Sequence, residues 1–518
     1  MKKHYDISGE AGAVKFNNRT DFCVGTGRMG LALQQEYQEQ LKLVQEEIGF
    51  RYIRGHGLFS DDMAIYQEYE DPTGNRKAEY NFTYLDMVMD SYRKLGLRPF
   101  LELGFMPGKM ASGDQTVFYW KGNTTPPQNY DMWCELVIKT LEHLMKRYGG
   151  EEVVCWPVEV WNEPNLPAFW KDADMEEYFK LFQRTFEAVK GLDSRFRVGG
   201  PAICGVQDEL WIRSFLEFCR REQITPDFIT RHHYNTELPE KAGHYGYAEL
   251  NDPEEGFRNL QATRDIVDSF EEYRGLEIHI TEFNTSYIPN CPLHDTNQNA
   301  AYIARQLSRL GDMNESYSYW TFGDVFEEQG VPYTPFHGGF GLVANGGIPK
   351  PTFWTFKFFK DLRGECVHRS DDMVILRRED GGYCGVAWND SVARSGRTLE
   401  ICLTVPGCIS SEYCLVTKTV DEDTCNPLRL WHDMGEPSSL TGEQKRLLQD
   451  CARPFISSSR VTAAEGRLQI ELAVKENGLV YFELQRAEIK NDRGYDYCRV
   501  MQYTNCREAL VKTDRPRF

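Results

Sequence analysis

The chain has 518 residues, more than one hydrophobic core usually supports, so a large domain with one or two smaller ones is expected. A formal net charge of -19 leaves no basic stripe to displace counterions, which excludes nucleic acid and favours a neutral substrate, and the 13% aromatic content offers faces on which sugars stack as well as filling cores. Fifteen cysteines, an odd number without a CxxC pair, exclude a complete disulfide framework and a zinc ribbon and fit reduced thiols in a cytosol.

In chain order, Met1-Lys2-Lys3-His4-Tyr5-Asp6 has lysines but no apolar stretch behind them, so no signal peptide is expected. No later apolar run approaches the ~20 residues of a membrane span, so no membrane partner is expected and a cytoplasmic location follows. Residues 15–362 alternate short apolar runs with amphipathic stretches, the pattern of a parallel sheet covered by helices. Strands are predicted at 21–25, 51–55, 98–104, 156–162, 196–201, 227–232, 276–282 and 316–322. The intervening helices fall at 31–48, 85–95, 131–148, 175–189, 209–221, 256–273 and 297–310, with 352–362 after the last strand. Eight strand–helix units close naturally into a TIM (β/α)8 barrel whose site lies at the C-terminal strand ends. Beyond residue 362, alternating runs at 373–377, 383–388 and 479–484 between turn residues predict a C-terminal antiparallel β-sandwich over 363–518. A polar helical insert is expected at about 439–455, and residues 1–14 are available to add a strand.

Two glutamates stand out within the barrel. Val158-Glu159-Val160-Trp161 leads into Asn162-Glu163-Pro164, and the run from Leu276 leads into Ile280-Thr281-Glu282-Phe283-Asn284. Each reads as a buried strand that delivers a carboxylate at its C-terminal end. Paired carboxyls are what glycosidic bond cleavage needs, because the oxocarbenium-like state requires one acid to protonate the departing oxygen and one anion beside the anomeric carbon. Burial and a nearby ionised partner raise the pKa of one carboxyl so that it keeps its proton near neutrality. Asn162 is suited to bond the sugar 2-hydroxyl, and Pro164 stops the strand. No His/Asp/Glu cluster with metal-ligand spacing is seen near either glutamate, so neither a metal nor a cofactor is expected.

Taken together, Arg54-Gly55-His56-Gly57, Glu102 to Pro107, Trp161 to Trp170, Gly199-Gly200-Pro201-Ala202, Arg231-His232-His233-Tyr234, Ile280 to Tyr287, Ser318 to Phe322 and His337-Gly338-Gly339-Phe340-Gly341 resemble glycoside hydrolase family 39, and within it the bacterial β-xylosidases. The resemblance implies a retaining double displacement, with Glu163 as acid/base and Glu282 as nucleophile. It places sugar contacts on His56, Asn162, Phe169, His232, Tyr234, Tyr287, Trp320, Glu327 and Glu328. His56 and His232 would bond hydroxyls as neutral imidazoles, Tyr287 would bond the nucleophile or cap its loop, and Trp320 would floor the sugar. Of Glu327 and Glu328, one is expected in the pocket. His279 reads as a buried strand histidine. His233 departs from the pattern, which has a small residue there, and its side chain should point away from that of His232.

The expectation is an exo-acting retaining β-xylosidase on short, neutral xylo-oligosaccharides. Segments 58–80, 105–128 and 323–348 would wall the barrel mouth into a pocket for one terminal sugar. The rivals are a related pentosidase, either an α-L-arabinofuranosidase or an arabinopyranosidase, and a catalytically inactive carbohydrate-binding protein. A homo-oligomer is compatible with the sequence.

Overall fold

The computed structural model describes residues 1–7, 13–407, 412–487 and 494–501. Eight parallel strands close into a barrel: β1 (Cys23–Thr26), β2 (Tyr52–Gly55), β3 (Arg98–Leu103), β4 (Val158–Val160), β5 (Val198–Ile203), β6 (Phe228–Tyr234), β7 (Ile278–Asn284) and β8 (Ser316–Tyr319). Each pairs with its neighbours in sequence, and β8 returns to β1 through Ser318↔Cys23 and Tyr319↔Val24. Every residue of β4, β5, β7 and β8 is buried, as expected of strands covered by helices outside and packed side chains inside.

The helices are α1 (Gln35–Glu47), α2 (Thr83–Lys94), α3 (Tyr130–Tyr148), α4 (Met175–Leu192), α5 (Asp208–Arg221), α6 (Pro253–Ser269), α7 (Asn297–Ser308) and α8 (Pro351–Asp361). Local chemistry sets their starts. Asp174 and Thr296 accept from the backbone N–H groups of Glu177 and Asn299, and Pro253 and Pro351 occupy first-turn positions where the missing N–H costs nothing. On α4 the buried Tyr178, Phe179, Phe182, Thr185 and Val189 recur at helical spacing and face the barrel. Strands and helices fall where the periodicity puts them, with ends displaced by a few residues. No described helix is long and apolar enough to cross a membrane.

The C-terminal part is a sandwich. One sheet has the spatial order Glu365–Arg369, Met373–Arg377, Tyr383–Trp388, Leu479–Arg486, Glu412–Val420, Phe455–Thr462, all antiparallel. The other pairs Leu399–Pro406 antiparallel to Arg467–Val474, and the N-terminal strand Lys2–Asp6 joins it parallel to Leu399–Pro406. Strict alternation along Leu399–Pro406 and Arg467–Val474 puts Ile401, Leu403, Ile470 and Leu472 against Ile375 and Phe482 of the facing sheet. Helix Gly442–Cys451 lies where the polar insert is predicted, and a second helix, Pro427–Asp433, precedes it. Trp431, Leu448 and Ala452 of this insert pack on Phe336, Ala344 and Ile348, so the insert braces the loop that follows β8.

Candidate active site

Glu163 stands on a turn of unusual backbone. Trp161 (φ 73°) and Glu163 (φ 45°) both occupy the left-handed region, which costs a residue bearing a β-carbon ~1–3 kcal/mol and persists only where its surroundings over-determine it. Here they do. The N–H of Trp161 donates to Leu103 O at 3.2 Å, that of Glu163 to Ala202 O at 2.9 Å, and the Trp161 indole N–H to Phe169 O at 2.8 Å. The Trp161 ring meets Trp170 and Phe105 edge-on at 5.0 and 5.4 Å.

Arg54, fully buried on β2, is the hub. Its Nε donates to Glu159 Oε2 at 2.5 Å, Nη1 to Glu282 Oε1 at 2.8 Å and Nη2 to Asn162 Oδ1 at 3.0 Å, and Nη2 also lies 2.9 Å from Glu102 Oε2. Burial opposes its charge, but Glu159, Glu102 and Glu282 outweigh that and keep the guanidinium protonated. By occupying Asn162 Oδ1 it leaves the amide N–H of Asn162 to donate into the cavity. Arg54 and Glu102 carry no role in the sequence reading. The available signal is strand parity: Arg54 and His56 are two residues apart and so share a face.

Two imidazoles complete the arrangement. His56 Nδ1 lies 2.7 Å from Glu102 Oε2, which directs Nε2 to Glu282 Oε1 at 3.5 Å and Glu328 Oε1 at 3.8 Å. His232 Nδ1 lies 2.8 Å from Glu163 Oε1 and 3.4 Å from Glu282 Oε2. Burial lowers both pKa values, His56 to about 4 and His232 well below its usual value, so both rings are neutral, and because Arg54 Nη2 faces its Nε2 at 3.5 Å, His232 donates from Nδ1. Tyr234 donates its hydroxyl to Glu282 Oε2 at 2.9 Å.

The two glutamates are held unequally. Burial pushes Glu163 well above the usual carboxyl range, and the charge of Glu282 pushes it further. Glu282 is also raised by burial, but Arg54 and then His56 draw it back. As a coupled pair, they leave the shared proton on Glu163 and the charge on Glu282. Burial also raises Glu102 to about 8 against the pull of Arg54, and raises Glu328 well above its usual range, with Glu282 and Glu163 adding to the shift.

A cavity of about 590 Å³ opens at these strand ends. His56, Asn162, Glu163, Phe169, Tyr234, Glu282, Tyr287, Trp320 and Glu328 line it, whereas His232 and Glu327 do not. His232 is fully buried behind the two carboxylates, where its hydrogen bonds are spent on positioning them rather than on sugar. Glu327 turns outward to Arg28 Nη2 at 2.8 Å and Gln34 Nε2 at 3.2 Å, leaving the cavity to its neighbour Glu328. Tyr287 stands 45% exposed at the mouth, and the tyrosine that bonds Glu282 is Tyr234. Trp320 packs so closely on β1 that a β-carbon at Gly25 would come within 2.3 Å of its ring, so only glycine fits there. His233 points away from His232 into α6, where it fits because residue 256 is glycine; a β-carbon there would lie 2.9 Å from its Cε1. His279 is buried on Ser316 Oγ at 2.7 Å, at the far end of the barrel.

The walls differ from those expected. Segment 58–80 folds into the hairpin Tyr66–Glu70/Arg76–Tyr80 and lines no part of the cavity. Phe118 comes from 105–128, and Glu328, Gln329 and Phe340 from 323–348, the two segments being tied by Tyr119 N–H to Glu328 O at 2.8 Å. The remaining wall is built by the loops after β5, β6 and β7, through Cys204 to Val206, Thr236, Leu238 and Tyr287 to Pro289.

The sequence shows no His/Asp/Glu cluster with metal-ligand spacing near either glutamate, but the fold assembles a group in space. Glu163, His232 and Glu282 bring ligand-capable atoms within 4.8 Å of one another. Three different strands supply them, so no spacing within one segment reveals the group. Its His232 Nδ1 carries a proton directed at Glu163, which leaves no lone pair there for a metal.

A family model described as glycosyl hydrolases family 39 matches residues 5–469. A β-xylosidase of Geobacillus stearothermophilus is 47% identical over 500 residues, covering 95% of this chain and 98% of the relative, and one of Caldicellulosiruptor saccharolyticus is 36% identical over 441 residues, covering 83% and 87%. The crystal structure of a monomeric β-xylosidase from Caulobacter crescentus CB15 superposes with a TM-score of 0.86 at 31% identity, over 94% of this chain and all of the other. With a closed barrel, a sandwich behind it and two unequal carboxyls at the ends of β4 and β7, the chain belongs to glycosyl hydrolases family 39.

Proposed function

We propose that the chain is an exo-acting retaining β-xylosidase that releases xylose from the non-reducing end of short xylo-oligosaccharides. The observation that carries the mechanism is the approach of Glu163 and Glu282, with an oxygen of each inside a group spanning 4.8 Å. That fits the ~5–5.5 Å separation of a retaining pair and is short of the ~6.5–9.5 Å that an inverting enzyme needs for water. Glu282, charged and fixed by Arg54 and Tyr234, attacks the anomeric carbon. Glu163, whose Oε1 is occupied by His232 N–H, delivers its proton from Oε2 to the departing oxygen. In the second step Glu163 takes a proton from water as that water displaces Glu282, and two inversions restore the configuration.

A neutral sugar is supported by the lining, in which no described residue is lysine or arginine. Xylose is supported by the activity for which the two relatives are named. Exo action is supported by Phe118 and Glu328, which stand over the His56 side of the cavity. The free cysteine thiols fit a reducing cytoplasm. The test is a panel of aryl glycosides followed by proton NMR of the first sugar formed from a β-xyloside. Fastest turnover of the β-xyloside with release of the β-anomer supports the reading. Preference for an α-L-arabinofuranoside, or first release of the α-anomer, overturns it.

A further inference from the structure

The two sides of the cavity differ in chemistry. Around Glu282 gather His56, Glu328 and Trp320, with His56 Nε2 and Glu328 Oε1 3.8 Å apart and the rings of His56 and Trp320 4.6 Å apart. Beyond Glu163 the lining turns aliphatic. Asn165 donates from Nδ2 to Val206 O at 2.7 Å and Cys204 O at 3.1 Å, and accepts from Cys204 N–H at 3.1 Å, which staples the loop after β5 beside Glu163. Val206 (50% exposed) and Leu238 (85% exposed) line the cavity yet stand open to water, with Ile288 and Pro289 on the same rim. Thr236 Oγ1, also on this rim, is buried and has no hydrogen-bond partner. Holding large aliphatic groups in water is unfavourable, and covering them recovers ~25 cal/mol for each Å².

We propose that this rim is a leaving-group subsite that favours a cyclic apolar alcohol over a departing sugar, so that an unactivated alicyclic β-xyloside is cleaved at least as well as xylobiose. The proposal rests on the β-xylosidase reading above. A departing xylose carries several hydroxyls, of which Thr236 Oγ1 can pair one and Val206, Leu238, Ile288 and Pro289 none, whereas a six-membered carbon ring covers the aliphatic side chains and presents its single ether oxygen to Glu163. As the bond from Glu282 to the anomeric carbon forms, the carbon–oxygen bond to the aglycone breaks; its electron pair stays on the aglycone oxygen, which takes the proton from Glu163. In reverse, an alcohol gives its proton to Glu163 while its oxygen displaces Glu282 from the anomeric carbon.

The experiment compares kcat/KM for cyclohexyl β-xyloside and xylobiose. Both leaving groups need the proton of Glu163, and the sugar hydroxyl is the more acidic of the two, so acidity alone favours xylobiose and the change in the ratio on substitution reports the subsite. The expected ratio is ~1 or above, and it should fall by about fivefold or more in the double variant Val206→Ser/Leu238→Ser, whose side chains are too exposed to govern folding. A starting ratio below about a tenth, or one that the double variant leaves unchanged, overturns the proposal. A second measurement needs no variant. The enzyme trapped with a 2-fluoro-β-xyloside should be reactivated faster by cyclohexanol than by xylose at equal concentration, and the opposite order also overturns the proposal. Cleavage of neither β-xyloside, with an α-L-arabinoside cleaved instead, strikes the β-xylosidase reading itself.

Discussion

Arg54 Nη1 stands 2.8 Å from Oε1 of Glu282, and among the described residues no other cation reaches that carboxylate. The same guanidinium binds Glu159, Asn162 and Glu102, so one side chain sets the charge of the nucleophile and the orientation of the residue before the acid/base. Lysine has the charge but not the planar fork. Arg54→Lys should lower kcat by roughly 10²–10³, while Arg54→Met should in addition cost ~3–5 kcal/mol of stability by leaving buried carboxylates unpaired. Steady-state kinetics with urea unfolding checks both; a kcat within about threefold of the natural chain would remove Arg54 from the mechanism.

The pH profile follows from the unequal pair. Activity needs Glu282 ionised, which sets the acidic limb of kcat/KM, and Glu163 protonated, which sets the basic limb. The Tyr234 hydroxyl bonds the charged form of Glu282, so its loss must raise the pKa of that carboxyl. Tyr234→Phe should therefore move the acidic limb to higher pH. Movement to lower pH, or of the basic limb alone, would show that Tyr234 acts elsewhere.

Glu327 and Glu328 should respond in opposite ways. Glu328→Ala removes a carboxyl from the cavity and should cost ~10–100-fold in kcat/KM. Glu327→Ala breaks a partly exposed pair with Arg28 and should cost less than ~1 kcal/mol of stability, with little effect on kcat/KM. Kinetics on both variants decides the matter, and the reverse ranking would place the wrong side chain in the pocket.

What the sequence discloses here follows from periodicity. Glu163 and Glu282 are legible because each ends an apolar strand-length run, and the barrel is legible because eight such runs alternate with helical spacing. Where periodicity ends, so does the reading. Glu327 and Glu328 lie in an irregular loop, where neither a period of two nor one of 3.6 says which side chain faces in. Arg54 looks like any strand arginine until three other strands place Glu159, Glu102 and Glu282 around it. The exchange of Tyr287 for Tyr234 has the same origin, because contacts across strands are set by barrel closure. Helix Pro427–Asp433 is too short for a periodic signal, although Asn426 as cap and Pro427 in the first turn mark its start.

A buried ion cluster holds the floor. Lys350 Nζ lies 2.6 Å from Asp295 Oδ1 and 2.7 Å from Asp324 Oδ2 and donates to Gly339 O at 2.7 Å. The other oxygens of these aspartates accept the N–H groups of Gly338 and Gly341, each at 2.7 Å, so the cluster clamps the loop that carries Phe340. Lys350→Met should leave two buried carboxylates uncompensated and cost ~3–5 kcal/mol, measured as a fall in the urea midpoint. A loss below ~1 kcal/mol would mean that the aspartates are satisfied without the lysine.

The central claim is that Glu282 forms the covalent bond to the sugar while Glu163 moves the proton. Trapping with an activated 2-deoxy-2-fluoro-β-xyloside slows both steps but spares formation of the intermediate, because the leaving group needs little help from an acid. Peptide mapping by mass spectrometry of the inactivated enzyme should find the fluoroxylosyl mass on the peptide containing Glu282. The same mass on the peptide containing Glu163, or inactivation-free turnover with inverted product, would contradict the assignment.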